Sequence, residues 1–255
     1  MTRPVVAEQI ERSLKPIQQF VRGWMMSERT TARALELGLA SGNDFWIIGR
    51  AGAMGDCSAV AAASGLGFLS PAGVQAAWGR IPTWSAPSVI ATEYAALCCA
   101  WGTAELSRFE SVRMARLDEL GRRIVDAADG SIGPVFAGWK AMAQPDDLGA
   151  RVALTTHVLR ELRGAAHIMA IFASGITPLD AVLASPAPAP RSGPVWAEHL
   201  HWTGPFRDAD DVRAGRVEAE KLTSRMLIPI YSTLTDGELI EYGELTETTR
   251  NAIDM

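Results

Sequence analysis

The chain has 255 residues, 48% of them hydrophobic, enough to bury one large core or two smaller ones and too apolar for a disordered segment. Lys and Arg number 24 against 29 Asp and Glu, and the formal charge of -5 gives no general attraction to a phosphate backbone. The three cysteines, Cys57, Cys98 and Cys99, form no C-x-x-C pair, Glu8 and Glu11 interrupt the N-terminus before an apolar leader builds up, and no stretch is apolar enough to span a membrane. A cytoplasmic protein is expected.

Val5 to Trp24 places Ile10, Leu14, Ile17 and Val21 at steps of three and four, which predicts a helix that Pro16 bends. Ser27-Glu28 opens a second helix through Leu39, ended by the breaker Ser41-Gly42-Asn43. Phe45 to Gly55 leads from apolar residues into a Gly-rich turn around Arg50. Its glycines, Gly49, Gly52 and Gly55, fall at G-x-x-G-x-x-G and lack the flanking strands of a dinucleotide loop, so close helix packing is their expected role. Arg50, a guanidinium flanked by apolar sequence, needs either a buried ion-pair partner or an anion to clamp.

Ser58 to Gly67 and Pro71 to Trp78 read as two short helices, the second with Ser70 as N-cap. Ser88 to Asp126 reads as one long run whose weak point is Gly102; its first half is almost wholly apolar, and its second alternates Arg with Glu and Asp as a solvated, paired face. Pro134 to Met142 and Pro178 to Ala184 are short helices. Ser185 to Pro194, SPAPAPRSGP, is an extended linker, and Trp196 to Trp202, Asp210 to Leu227 and Asp236 to Ile253 are three more helices. No stretch alternates with a period of two for long enough to be a strand. The expected fold is all-α, a multi-helix bundle with a long central helix over residues 1–184, a Pro/Ala linker at 185–194 and a smaller helical region at 195–255.

That central helix, Asp146 to Ser174, organises the chain. At roughly 100° per residue, His157, Arg160, Glu161, Gly164 and His167 share an arc of about 120°, and Leu154, Val158, Leu162, Ala165, Met169 and Phe172 occupy the next arc. One face is therefore expected in the core, with two imidazoles, a carboxylate and a guanidinium along its margin. His157 and His167 stand about 15 Å apart along the axis, too far for one metal site, and no H-E-x-x-H pattern occurs, so neither metal nor cofactor is expected. Imidazoles titrate near neutrality and suit proton transfer; the alternative is that both are satisfied boundary residues and that Glu161 merely pairs with a neighbouring cation. Cys57 reads as either an activated thiolate or an inert thiol.

Phe45-Trp46 followed by Arg50-Ala51 and Gly55, Phe68 and Pro71, Pro145-Asp146-Asp147, Leu159-Arg160-Glu161 with Arg163-Gly164 and His167, and the run from Gly215 through Glu218 to Leu222 resemble a large actinobacterial family of unassigned activity usually labelled helix-turn-helix-like. The resemblance covers about Phe45 to Ile253. It implies an all-helical N-terminal region followed by a part similar to the winged helix of multiple-antibiotic-resistance regulators. This chain departs from the pattern: Leu162, Ala165 and Ala166 stand where the family usually has His, Asp and Gly, and SPAPAPRSGP replaces the first helices of the DNA-binding motif. Trp196 to Trp202, the counterpart of the recognition helix, carries Glu198, His199 and His201 but no Lys or Arg, so the C-terminal region resembles a degenerate winged helix.

The expected function is that of a small-molecule-binding helical protein. Its sharper form is a cofactor-independent acid/base enzyme of secondary metabolism, such as an isomerase, lyase or cyclase. His157, Glu161 and His167 are its catalytic candidates, and Arg50, Arg160, Trp46 and Met169 its contacts to a substrate with an anionic or polar end. Nucleic acid and membrane are not expected as partners; a homodimer is, formed through terminal helices in the regulator alternative. The alternatives are a winged-helix-like transcription regulator and a ligand-binding protein without catalysis.

Overall fold

A computed structural model describes residues 4–25, 27–187 and 190–253. Among them are thirteen α-helices and no β-strand: α1 (Pro4–Met25), α2 (Glu28–Glu36), α3 (Gly42–Ala51), α4 (Ala59–Leu66), α5 (Pro71–Trp78), α6 (Pro87–Leu106), α7 (Ser111–Ala127), α8 (Pro134–Lys140), α9 (Leu148–Ala173), α10 (Pro178–Leu183), α11 (Gly193–His199), α12 (Arg213–Tyr231) and α13 (Asp236–Asn251). No helix is long and apolar enough to cross a membrane. The β-hairpin that would form a wing is not found among the described residues.

Side-chain caps explain most of the helix starts. Ser27, Ser41, Ser58, Ser70 and Asp147 each accept a backbone N–H of the following first turn. Thr177 with Asp180, and Thr235 with Glu238, form complete capping boxes at α10 and α13. Ser41 thereby corrects one expectation: Gly42 opens α3 rather than closing α2, which ends earlier, beside Gly38 at φ +75°.

The long run from Ser88 also divides elsewhere than expected. It breaks after Leu106, before Ser111, while Gly102 lies inside α6. Gly102 is there because α6 crosses α9 at backbone distance: a Cβ on it would lie 2.4 Å from the Gly149 carbonyl oxygen and 2.5 Å from Ala153 Cβ. Because the obstructing oxygen belongs to the backbone, Gly102→Ala is expected to lower stability by at least about 1–3 kcal/mol, read as a drop in the urea unfolding midpoint.

α9 is surrounded by α6, α7, α12, α1 and α8, so burial runs round it rather than along one stripe. His157, Glu161 and His167 are as buried as Leu154, Val158 and Leu162. The exposed part of the helix is its C-terminal turns, where Met169 is 40% and Phe172 61% exposed, although both were expected in the core arc. Residues on both sides of the Pro/Ala segment enter one hydrophobic cluster, in which Ile10, Ile17 and Leu154 join Leu227, Tyr231, Leu239 and Tyr242. Two arginines of α7 reach another helix: Arg116, which also pairs with Glu119 of α7 at 2.9 Å, reaches Glu241 at 2.8 Å, and Arg123 reaches Glu238, tying α7 to α13.

Candidate functional site

The polar centre of the molecule is Glu161. Arg50 donates from Nε and Nη2 to its two oxygens, each at 2.9 Å, and Arg160 donates to Oε1 as well. One carboxylate thus faces two guanidiniums in a place where Glu161 is only 3% exposed. Burial pushes its carboxyl upward, but the charges of Arg50 and Arg160 outweigh that and hold it well below the usual carboxylate range. Arg160 is lowered to about 10, first by burial and then by the charge of Arg50, and stays charged at neutral pH. α3 presents Arg50 correctly because Gly49 and Gly52 let α6 approach: a Cβ at either would strike Tyr94 or the Pro87 carbonyl. Gly49 and Gly52 therefore serve helix packing, whereas Gly55, at φ +88° with nothing within 4 Å of a Cβ placed on it, serves the turn.

The two imidazoles are sealed in. His157 is fully buried beside Trp139 and Trp24, with ring centroids 4.1 and 5.3 Å away, and neither of its nitrogens has a hydrogen-bond partner. Burial brings its pKa down to about 3. The Thr223 hydroxyl donates to the Ala219 carbonyl at 2.7 Å, so its oxygen accepts from His167 Nδ1–H at 2.8 Å. Nδ1 of His167 therefore carries the proton, and Nε2 is left without a partner. Burial and the charges of Arg163 and Arg216 push this histidine far down too. Both rings are neutral near pH 7, and neither lines the larger or the smaller of the two cavities beside α9. Cys57 has its thiol pKa raised by burial, the opposite of an activated thiolate.

The cavity lies on the other side of the Arg50–Glu161 pair. A recess of about 830 Å³ opens between α1, α3, the α4–α5 turn, α9 and α11. Arg50, Arg160 and Trp46 line it, while Met169 lines a smaller pocket of about 160 Å³ that shares Arg50, Phe68 and Gly164 with the first. Three further guanidiniums complete the recess, those of Arg22, Arg163 and Arg191, and no carboxylate lines it. Arg163, one of the residues that carry the family resemblance, pairs with Glu220 at 2.8 Å. Arg22 and Arg191 were not foreseen; Arg191 is the single charge in the Pro/Ala segment, which is the only sign the sequence carries. The α4–α5 turn is stitched to the end of α11: Ser70 N–H donates to the Leu200 carbonyl at 3.0 Å, and Trp202 Nε1 to the Phe68 carbonyl at 2.8 Å.

A sequence profile described as "Helix-turn-helix family" matches residues 7–254. The chain belongs to that family. No curated protein matches it, and no solved structure does. Membership overturns the expectation of a cofactor-independent acid/base enzyme and favours the transcription-regulator alternative. The geometry supplies the physical reason on the enzyme side: the imidazoles meant to move protons are neutral, buried and walled off from both cavities.

Proposed function

We propose that the protein is a DNA-binding transcription regulator. The observation that carries this reading is the family match across residues 7–254. Two helix pairs have the short, glycine-containing connection of a helix-turn-helix: α4 and α5 across residues 67–70, with Gly67 at φ +67°, and α9 and α10 across residues 174–177, with Gly175 at φ +72°. Burial favours the first pair. In α10, Asp180, Ala181, Val182 and Leu183 are all buried, whereas α5 turns Ala72, Gln75 and Ala76 to solvent. Gln75 has the donor and acceptor needed to read adenine in the major groove, and the alanines suit a thymine methyl. As a homodimer, two copies of α5 would address half-sites one DNA turn apart, roughly 34–36 Å.

The basic surface beside α5 is sparse, since Arg80 is committed to Asp44 at 2.6 Å. Affinity should therefore depend weakly on salt: two or three neutralised phosphates give a log–log slope of about -2 to -3. The test is selection from a random duplex library followed by fluorescence anisotropy on the enriched duplex. Gln75→Ala is expected to weaken binding to that duplex by about tenfold and to leave binding to unselected DNA unchanged. Failure to enrich any sequence at low salt would sink the reading.

A further inference from the structure

We propose that the recess roofed by α11 is a binding site for an organic anion, an acid group carried on a flat apolar skeleton. The charge pattern is the first ground. In a chain of net charge -5, five arginines converge on one recess and no Asp or Glu lines it. The two carboxylates behind the wall are each shared, Glu161 between Arg50 and Arg160, and Glu220 between Arg163 and Arg216. Arg22 and Arg191 line the same recess and have no carboxylate partner among the described residues, and the Arg22 pKa is lowered by burial and then by the Arg191 charge. Like charges held together at the mouth of a low-dielectric recess raise the free energy of the empty site, and an anion between them relieves it.

The second ground is the supply of hydrogen-bond donors. Arg22, Arg50, Arg160, Arg163 and Arg191 line the recess, and a guanidinium donates hydrogen bonds but accepts none. Against these five guanidiniums, Gln18 and His199 are the lining side chains that can accept through oxygen or nitrogen, so the wall selects a ligand rich in acceptors. The third ground is shape. Trp46, Phe68 and Trp196 supply flat apolar surface, and about 830 Å³ suits a molecule of several fused or linked rings. A DNA duplex presents its phosphates on a convex surface and cannot follow these guanidiniums down to α9 at the floor.

The site goes beyond the DNA-binding reading and is tested without DNA. The full chain is titrated with 8-anilinonaphthalene-1-sulfonate, and separately with N-phenyl-1-naphthylamine, the same ring system without its sulfonate. Neither Arg22 nor Arg191 makes an ion pair among the described residues, so replacing both with glutamine is expected to leave the packing intact, which near-ultraviolet circular dichroism checks. The Arg22→Gln, Arg191→Gln double variant is expected to weaken the sulfonate dye by at least about tenfold and to leave the uncharged dye within about twofold. Trp46→Leu is expected to weaken both dyes, since it removes the shared apolar contact. Undiminished sulfonate binding in the double variant, or an equal loss for both dyes, overturns the proposal.

Discussion

Glu161→Ala is expected to cost about 3–5 kcal/mol and to bring the protein close to unfolding at room temperature, because the total stability of a domain is only about 5–15 kcal/mol. The loss exceeds that of an ordinary core truncation because of what remains. Arg50, whose side chain is 10% exposed, would keep its charge with no counter-ion, and Arg160 would face it as a like charge. Replacing Glu161→Leu with Arg50→Met together should cost less than Glu161→Ala alone, since it removes the more buried of the two guanidiniums along with the carboxylate and leaves Arg160, 23% exposed, without a like charge facing it. Urea unfolding of the three variants decides the matter; a Glu161→Ala penalty below about 1 kcal/mol would show that solvent, not Glu161, satisfies these guanidiniums. The pH dependence has a definite sign. The folded carboxyl is depressed below its unfolded value, so its contribution is complete above about pH 4.5 and is lost as the pH falls further towards the folded value.

That window leaves the range between pH 6.5 and 5 to the histidines, and there the second large effect is expected. His157, with a folded pKa of about 3, and His167, also depressed, stay neutral in the fold while the unfolded chain takes up protons. The unfolded state therefore gains protons on acidification, and stability falls as the pH drops below about 6.5. The slope approaches about 1.4 kcal/mol per pH unit for each histidine, or roughly 2 kcal/mol each by pH 5. His157→Leu removes one of the two titrations, so the loss between pH 7.5 and pH 5 should be roughly halved even though the variant is less stable at every pH. Unfolding midpoints measured at three pH values test this. A wild-type midpoint that does not move between pH 7 and pH 5 would mean that the rings are charged or hydrated in the fold.

Much of the architecture follows from local chemistry. Ser70 before Pro71, Asp147 before α9 and Thr177 before Pro178 mark helix starts in the sequence, and each performs that role because an N-cap satisfies backbone donors within its own turn. Period and composition likewise determine an all-α chain with a long helix at its centre. Ser88 to Asp126 reads as one run with its weak point at Gly102, because a glycine weakens an isolated helix; only the crossing with α9 shows that this glycine is a contact, and the break falls after Leu106.

The site divides the same way. The residues along α9, and Arg50, stand out in the sequence as charges in apolar surroundings, and their spacing places Glu161 within reach of Arg160. Which of them meet solvent, and which meet each other, depends on five helices closing round α9, information that no angular position on a single helix contains. The imidazoles chosen as proton carriers were buried by α1, α6, α8 and α12, and the cavity opened instead beside arginines 22, 163 and 191, two of them from segments far away in the chain. Helix starts are decided over three or four residues, so the sequence alone determined them; burial and charge convergence are sums over distant segments, and only the tertiary structure could decide them.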